Sequence, residues 1–401
     1  MRPQSDTGWL IAQAESLGFD LCGIVPAFDL TAPAHRDEWL ARGYAGQMAY
    51  LHDARRADPL QAFPEARSVI VCAINYNTAH PYSTEAAATA AAASGAEAGA
   101  SGAKAWLSRY AWGDDYHTVI TAKLEALIAA MTEKFAPEQF SSRSYVDTGP
   151  VSERLAARQA GLGWLAKNTC LINEDIGSWL FLGVVLTSLE FTPSLPRENG
   201  ATAASVAPPD LCGHCTLCID ACPTGALVEP YVLDASRCIS YLTIELRDAI
   251  PGEFRAAMGR HVFGCDICQD VCPWNRQAPA TQEPAFAPRK HLLAPEVEWL
   301  LSLTEDDFRR VFSNSPVRRA KYRGLIRNAC IAAGNARGKR ALDDVTRGKR
   351  AAEEGSGKRA TDEASTSPSL RARLAQLAAS PDPLIAEHAQ WALAQLPPAH
   401  V

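Results

Sequence analysis

Seven of the twelve cysteines in this chain lie in two short runs, and each run ends in Cys-Pro. The first run, "CGHCTLCIDACP", covers residues 212–223, and the second, "CDICQDVCP", covers residues 265–273. The first has the spacing C-x-x-C-x-x-C-x-x-x-C-P, in which three thiolates bind one 4Fe–4S cluster and the fourth binds a second cluster. The spacing therefore predicts two clusters, which need eight thiolate ligands.

The second run and one intervening cysteine complete this number. Three thiolates come from the second run, and the eighth comes from Cys238, which lies between the runs. Following the crossed ligation of the pattern, we assign one cluster to Cys212, Cys215, Cys218 and Cys272. We assign the other cluster to Cys222, Cys238, Cys265 and Cys268. A pair of zinc sites is the alternative, but structural zinc sites use two separated cysteine pairs rather than this run.

The four other cysteines stand in apolar stretches, which favours buried, small hydrophobic side chains. They are Cys22, Cys72, Cys170 and Cys330. We expect no disulfide framework, because disulfides persist mainly in secreted proteins and the N-terminal segment lacks the pattern of a signal peptide. No stretch approaches the ~20 apolar residues of a membrane span. The chain is therefore predicted to be cytoplasmic and monomeric, with no membrane contact.

The pattern of apolar residues indicates a mixed fold. An opening helix is predicted to end at Gly18, and strands are predicted within 66–76 and 178–191. At 401 residues and 47% hydrophobic composition, the chain is long enough for roughly two to three domains with cores of their own. We predict an α+β protein with an N-terminal α/β domain at 1–200, a bacterial-ferredoxin-like two-cluster domain at 201–285 and an α-helical region at 286–401.

Two Ala-, Gly- and Ser-rich segments, at 83–104 and 343–369, are predicted to be flexible insertions without chemistry. The C-terminal region has amphipathic helical patterns at 322–338 and 369–396. Paired helices of this kind resemble HEAT-like repeats, which bury their apolar faces by stacking on neighbours.

Charge is distributed unevenly along the chain. Residues 1–316 have 24 Lys and Arg against 37 Asp and Glu, whereas residues 317–401 have 15 against 8. A basic C-terminal segment is a candidate surface for a polyanion, and a solvated helix face is the alternative. The basic residues on or near one predicted helix are Arg318, Arg319, Lys321, Arg323 and Arg327.

Outside the cysteine runs, the strongest candidate for chemistry is Asp147, predicted to lie on a turn between a strand and a helix. The alternative role is a helix N-cap, for which aspartate is a preferred residue. Residues 161–169, "GLGWLAKNT", form a glycine-flanked loop that is suited to a large flat or anionic ligand, with a helix C-cap as the alternative. A third segment, "SRYAWGDDYH" at 108–117, is typical of a pocket wall or of an aromatic cluster between domains.

Taken together, these motifs resemble the epoxyqueuosine reductase family. The resemblance is carried by "DTGPVSERLAARQAGLGWLAKNT", "CGHCTLCIDACPTGAL", "RCISYLTIE", "FGCDICQDVCPWN" and "RRAKYRGLIRNACIAAGN", in that order. It implies an oxidoreductase with two 4Fe–4S clusters and cobalamin, which converts epoxyqueuosine to queuosine at the wobble position of tRNA. It also implies two partners, the tRNA anticodon stem-loop and a low-potential electron donor such as flavodoxin or ferredoxin.

The resemblance implies roles for individual residues. Asp147 matches the family's proton donor, and the eight cysteines match its cluster ligands. A histidine-on cobalamin signature is incomplete, because Ile120 stands where D-x-H-x-x-G requires glycine; this agrees with a family that binds cobalamin without a protein histidine ligand. The residues predicted to line the cobalamin pocket are Tyr110, Asp147, Lys167, Asn168, Thr169, Cys170, Leu171, Ser240 and Arg247.

Two other functions have some of the same features. A reductive dehalogenase uses the same clusters with cobalamin, but such enzymes typically have a twin-arginine signal, whereas only Arg2 precedes Trp9 in this chain. A ferredoxin-type electron carrier would leave nearly 200 residues before the clusters unexplained. If Asp147 is not the acid, then Asp114, Asp115 and His117 are the next candidates.

Overall fold

The computed structural model describes residues 1–30, 35–85, 102–195, 209–336 and 367–397. Most of the two predicted insertions lies outside these described residues. The predicted bounds of the insertions are wrong, because residues at their ends belong to the described fold. Ser83 is buried, Lys104 forms a β-bridge with Glu296, and the Ser367 side chain accepts the Leu370 N–H at a helix start.

Ten strands are described. They are β1 (Leu21–Pro26), β2 (Ser68–Asn75), β3 (Trp106–Leu107), β4 (Ser142–Tyr145), β5 (Trp164–Leu165), β6 (Leu171–Ile172), β7 (Leu180–Thr187), β8 (Leu227–Glu229), β9 (Val232–Leu233) and β10 (His261–Phe263).

The described α-helices alternate with these strands and then dominate the C-terminal part. They are α1 (Gln4–Ser16), α2 (Arg36–Ala41), α3 (Tyr116–Lys134), α4 (Glu153–Gln159), α5 (Leu217–Ala221), α6 (Ile239–Ile244), α7 (Gly252–Arg255), α8 (Ile267–Asp270), α9 (Val297–Ser302), α10 (Glu305–Val311), α11 (Lys321–Gly334), α12 (Pro368–Ala378) and α13 (Pro383–Gln395).

The N-terminal region is built on a four-stranded sheet in the order β1-β2-β7-β4. Every neighbouring pair in this sheet is antiparallel. The mixed helix and sheet content agrees with the predicted α+β class. The term α/β for this region was wrong in its usual sense, because that term implies parallel strands joined by crossover helices.

Both faces of the sheet are covered, which explains why the continuous apolar run of β2 is buried at all eight positions. Leu10 of α1 and Leu124 of α3 pack on one face. Ala156 and Ala157 of α4 pack on the other face. A side chain at Gly23 would place its Cβ 2.8 Å from the Ala160 carbonyl oxygen, so glycine allows α4 to lie directly against β1. This packing fixes the segment that precedes α4.

The C-terminal helices share a core with residues that come early in the chain. Strand β3 pairs in parallel with β10, and Trp112 and Phe263 pack with α9, α11 and α13 in one apolar cluster. The predicted helices at 322–338 and 369–396 are present as α11, α12 and α13. Within the described ranges, no helix is both long enough and apolar enough to cross a bilayer.

Candidate active site

The structure brings the seven cysteines of the two runs and Cys238 together as two groups of neighbours. Burial and the nearby thiols of Cys272 and Cys215 raise the pKa of Cys218 to about 12. Burial and the nearby thiol of Cys238 likewise raise the pKa of Cys265. The first group consists of Cys212, Cys215, Cys218 and Cys272. The second group consists of Cys222, Cys238, Cys265 and Cys268.

The chemistry of these donors fits two clusters. Each group offers four thiols on loops and short helices, and the Ala226 N–H donates to Cys222 Sγ at 3.3 Å, as an amide does to a cluster ligand. Across the described ranges, no three His, Cys, Asp or Glu side chains converge closely enough to share a single metal ion. A cube with four irons separates its thiolates more widely than one zinc ion with Zn–S bonds of about 2.3 Å. The grouping agrees with the ligand count, and the ligand roles remain predictions.

The loop at 166–170 connects the sheet region to both groups of cysteines. Lys167 is buried, and its Nζ donates to the carbonyl oxygens of Gly213 at 2.5 Å and Cys215 at 3.0 Å. The Asn168 amide donates to the Cys268 carbonyl oxygen at 3.3 Å. Thr169 has a left-handed backbone with φ of 65°. This loop is the turn between β5 and β6, and it positions the cysteine loops. The helix C-cap alternative holds at the start of the predicted segment, where Gly161 follows α4 with a φ of 86° and the Leu162 N–H donates to the Ala157 carbonyl oxygen at 2.9 Å.

Two residues of this segment differ in their surroundings. Leu171 is buried as the first residue of β6. Cys170 is only partly buried, and its thiol hydrogen-bonds to the Cys268 thiol. The prediction that Cys170 is a buried hydrophobic side chain was therefore wrong, because the loop turns it towards the second cysteine group. Cys22, Cys72 and Cys330 are buried, as predicted.

Asp147 lies in a bend after β4 and has an unusual backbone. Its φ is 59°, in the left-handed region, and its side chain is 66% exposed. Its backbone N–H donates to Glu153 Oε1 at 2.6 Å, and the Tyr116 hydroxyl donates to its Oδ2 at 3.1 Å. The N-cap alternative is wrong, because α4 begins at Glu153 and Ser152 holds the N-cap position. The exposed carboxyl is therefore free to meet a ligand.

Acidic groups surround this carboxyl. Burial, followed by the charge of Asp147, raises the pKa of Glu153 to about 8. The same two causes raise the pKa of the Tyr116 hydroxyl. Glu153 and Tyr116 therefore both hold their protons more readily than they would in water. Neither Glu153 nor Tyr116 was predicted from the sequence, although Tyr116 is within the segment 108–117.

His117 faces Asp147 from the first turn of α3. Its Nε2 lies 3.8 Å from Asp147 Oδ2, and its Nδ1 lies 2.8 Å from Asp115 Oδ1. Partial burial acts to raise the pKa of Asp115, but hydrogen bonds from the side chain and backbone of His117 lower it on balance. Asp114 points elsewhere and pairs with Arg289 at 2.5 Å. Of the three fallback candidates, His117 is the one that faces Asp147.

Aromatic side chains form the wall between Asp147 and the second cysteine group. Tyr116 stacks on Phe181 with ring centroids 4.3 Å apart and an interplanar angle of 6°. Tyr110 packs edge-on against Tyr116 at 6.1 Å and also contacts Phe263, two residues before Cys265. Burial, followed by the Asp147 charge, raises the pKa of Tyr110. Tyr110 therefore lies between Asp147 and the second cysteine group.

Two further predicted pocket residues come from α6 and the segment that follows it. Ser240 is partly buried at the start of α6 and hydrogen-bonds to Cys238. Arg247 is exposed, and its guanidinium donates to the Ala320 carbonyl oxygen at 3.3 Å. A corrin is large, flat and fringed with amides, so a surface of stacked aromatic rings beside polar groups fits it.

The two groups of four cysteines and the exposed Asp147 carboxyl are those of an iron–sulfur oxidoreductase with two clusters. A model described as "4Fe-4S double cluster binding domain" matches residues 211–275, and one described as "Epoxyqueuosine reductase QueG, DUF1730" matches residues 56–148. A Shewanella oneidensis epoxyqueuosine reductase is 38% identical over 392 residues, which is 95% of this chain and 86% of the relative. The chain belongs to the epoxyqueuosine reductase family, whose cofactors are two 4Fe–4S clusters and cobalamin.

Two solved structures of the family resemble the whole chain. An epoxyqueuosine reductase with an epoxyqueuosine-modified tRNA-Tyr stem loop has a TM-score of 0.76 and 28% identity, covering 98% of this chain and 90% of the other. The enzyme from Bacillus subtilis, described with its aspartate catalytic loop swung out of the active site, has a TM-score of 0.72 and 26% identity. It covers 98% of this chain and 100% of the other.

Proposed function

We propose that this chain reduces epoxyqueuosine to queuosine at the wobble position of tRNA, with Asp147 as the proton donor. The observation that supports this most directly is the position of Asp147, whose exposed carboxyl accepts a hydrogen bond from Tyr116, with Tyr110 and Phe263 between it and the second cysteine group. When bound, reduced cobalamin supplies the electrons that open the epoxide. The residues of the chain bind the substrate, exclude water and deliver protons.

The proposed proton donor meets the requirements of a general acid. Opening an epoxide by reduction leaves an alkoxide oxygen that needs a proton within a site otherwise shielded from water. Asp147 is held by Glu153 through its backbone, so its carboxyl can turn without loss of that anchor. The catalytic aspartate loop of the Bacillus subtilis relative has been described in a swung-out position. A carboxyl on a bend is suited to this kind of movement.

We propose that the cobalamin pocket lies between Asp147 and the second cluster. Tyr110, the loop at 167–171, Ser240 and Arg247 would contact the corrin or its amide side chains. We retain the division into a cobalamin and substrate region at 1–200, a cluster region at 201–285 and a helical region at 286–401. Strand β3 joins the first region to the other two, since it pairs with β10 of the cluster region and packs in the C-terminal core.

The proposed tRNA-binding surface has fewer available basic residues than the number of Lys and Arg in the C-terminal segment implied. Arg327 was wrongly included, because it is fully buried and its guanidinium donates to the carbonyl oxygens of Leu242, Leu246 and Asp248. Arg319 and Arg323 are tied to acidic partners on other segments, Glu245 and Asp382. Arg318 and Lys321 are exposed, and they are our choice for phosphate contacts.

A tRNA-bound relative supports this part of the proposal, since a modified tRNA stem loop accompanies that enzyme. We further propose that α11, α12 and α13 act as HEAT-like helices that present the basic surface. A monomeric protein that receives electrons from flavodoxin or ferredoxin remains our prediction.

A reconstitution assay tests the proposed function. Anaerobic protein with both clusters, supplied with cobalamin, a chemical reductant and tRNA that contains epoxyqueuosine, should yield queuosine, detected by mass spectrometry of the nucleosides. Protein without added cobalamin is the control and should yield little product. Conversion of halogenated phenols but not of epoxyqueuosine would favour a reductive dehalogenase. An unchanged corrinoid spectrum on mixing would favour an electron carrier.

A further inference from the structure

Removal of the epoxide oxygen requires more protons than one carboxyl holds. Conversion of an epoxide to an alkene breaks two C–O bonds, forms one C=C bond, takes up two electrons and releases the oxygen as water. Both protons of that water arrive at the same oxygen within one turnover. A single carboxyl delivers one proton and must then be protonated again before the second C–O bond breaks. A site with one acid therefore needs a proton supply.

The structure contains a pair of residues directly behind Asp147 that can provide this supply. His117 is bound through Nδ1 to Asp115, and its Nε2 faces Asp147 Oδ2 at 3.8 Å. Asp115 itself is fixed as the N-cap of α3, where it accepts the His117 backbone N–H at 3.1 Å. The Nδ1 contact holds the ring in one orientation, so that Nε2 is the nitrogen that faces Asp147.

The His117 ring is open to solvent on one side, and stacking holds its plane in place. The His117 side chain is 36% exposed, whereas its inner face stacks on Tyr116 with centroids 4.1 Å apart. Imidazole is the side chain best suited to transfer protons near neutral pH. A small rotation of the exposed Asp147 carboxyl brings its Oδ2 within hydrogen-bonding distance of Nε2.

The other groups around Asp147 are less suited to this role. Glu153 accepts the Asp147 backbone N–H with one carboxyl oxygen, and the raised pKa of Tyr116 makes its hydroxyl a poor acid. The charged and titratable groups that influence Asp147 or its neighbours from each packed element are Tyr50, Arg56, Tyr110, Asp115, Tyr116, His117, Glu153, Arg154, Glu245, Arg289 and Arg319.

We propose that His117, oriented by Asp115, returns a proton to Asp147 within each turnover. This inference rests on the proposed role of Asp147 as the proton donor. The imidazolium gives its Nε2 proton to the Asp147 carboxylate, keeps its Nδ1 proton bound to Asp115, and then takes a new proton from water at its exposed edge. His117 acts through Asp147 and does not contact the substrate oxygen.

The first test is the pH dependence of turnover in the loaded enzyme. His117→Gln should reduce steady-state conversion of epoxyqueuosine in tRNA by ~10²-fold at pH 8, the usual size of an effect on proton transfer. The loss should shrink as the pH falls, because hydronium becomes a competing source of protons, and added imidazole should restore part of the rate. His80→Gln, at another exposed histidine, is the matched control and should leave the rate unchanged.

The second test needs no turnover. In protein that carries both clusters but no cobalamin, nuclear magnetic resonance can record the ring nitrogens of His117 at a fixed pH. Asp147→Asn alters the group that faces Nε2 at 3.8 Å, so the Nε2 chemical shift should change. The ring nitrogens of His80 should keep their chemical shifts. An unchanged Nε2 shift would show that the two side chains do not interact, and the proposal would fail.

Asp115→Asn supplies a second variant that preserves folding, because asparagine is an equally good N-cap. It should reduce turnover less than His117→Gln and with the same pH dependence. If Asp147→Asn is inactive while His117→Gln is fully active at every pH, the relay is wrong and the role of Asp147 stands. If Asp147→Asn itself turns over normally, the proposed proton donor is wrong and the relay falls with it.

Discussion

The two halves of the site are encoded in different ways. The cysteines of the cluster half lie within 61 positions, from 212 to 272, on short loops whose spacing alone limits the ligand set. The acidic half combines Tyr110, His117, Asp147 and Glu153, which come from separate elements and meet only because α3 and α4 pack on opposite faces of one sheet. The cluster half therefore depends on local sequence, and the acidic half depends on the whole fold.

This difference predicts that damage to the cluster half is severe but confined to one cluster. Cys272→Ala removes a ligand of the first group and should lower bound iron to about half or leave a three-iron species, with activity abolished. The second cluster should remain, because its four thiols form a separate group. Electron paramagnetic resonance of the reduced protein and iron analysis provide the measurement.

Cys330→Ala is the matched control for that variant, since Cys330 is buried in the C-terminal core and away from both groups. It should retain both clusters. An unchanged pair of cluster signals in the Cys272 variant would contradict the crossed assignment.

The contact between α11 and the cluster half predicts a loss of stability when it is broken. The Arg327 guanidinium, fully buried in α11, binds three carbonyl oxygens at the end of α6. Arg327→Ala leaves these acceptors without partners and opens a cavity, so it should cost about 3 kcal/mol or more. Thermal unfolding of cluster-loaded protein should show a clear fall in Tm.

Arg318→Ala, at an exposed arginine of the same basic segment, serves as the control and should change stability by no more than about 0.5 kcal/mol. Equal Tm values for the Arg327 and Arg318 variants would contradict the structural role of Arg327.

The basic surface should show the smallest effect. Reversal of charge at Arg318 and Lys321 should weaken tRNA binding by about tenfold and reduce the dependence of log affinity on log salt by roughly one to two units. Filter binding at several salt concentrations measures both quantities. The same reversal at Arg309 and Arg310, which are exposed on α10 and paired with acids of their own helix, is the matched control. Identical slopes for both pairs would favour a solvated helix face.

The sequence was informative where chemistry depends on short spacing. The sequence correctly predicted the number of clusters and the position of Asp147 on a turn, together with the strands within 66–76 and 178–191 and the C-terminal helices. The sequence was misleading where a distant segment determines whether a side chain is buried. Arg327 has the same helical spacing as Arg323, but the end of α6 covers only Arg327. The role of Glu153 as the anchor of Asp147 also escaped prediction, because periodicity does not reveal a contact made by a left-handed bend.

The most direct test of the account is turnover by Asp147→Asn with both clusters and cobalamin bound. Asp147 does not cap α4, so the amide should leave folding, iron content and cobalamin binding intact. It should reduce conversion of epoxyqueuosine in tRNA by ~10²-fold or more, because an amide cannot replace a general acid. Glu190→Gln, an exposed acid far along the sheet region, is the control and should retain full activity. Near wild-type conversion by Asp147→Asn would contradict the account.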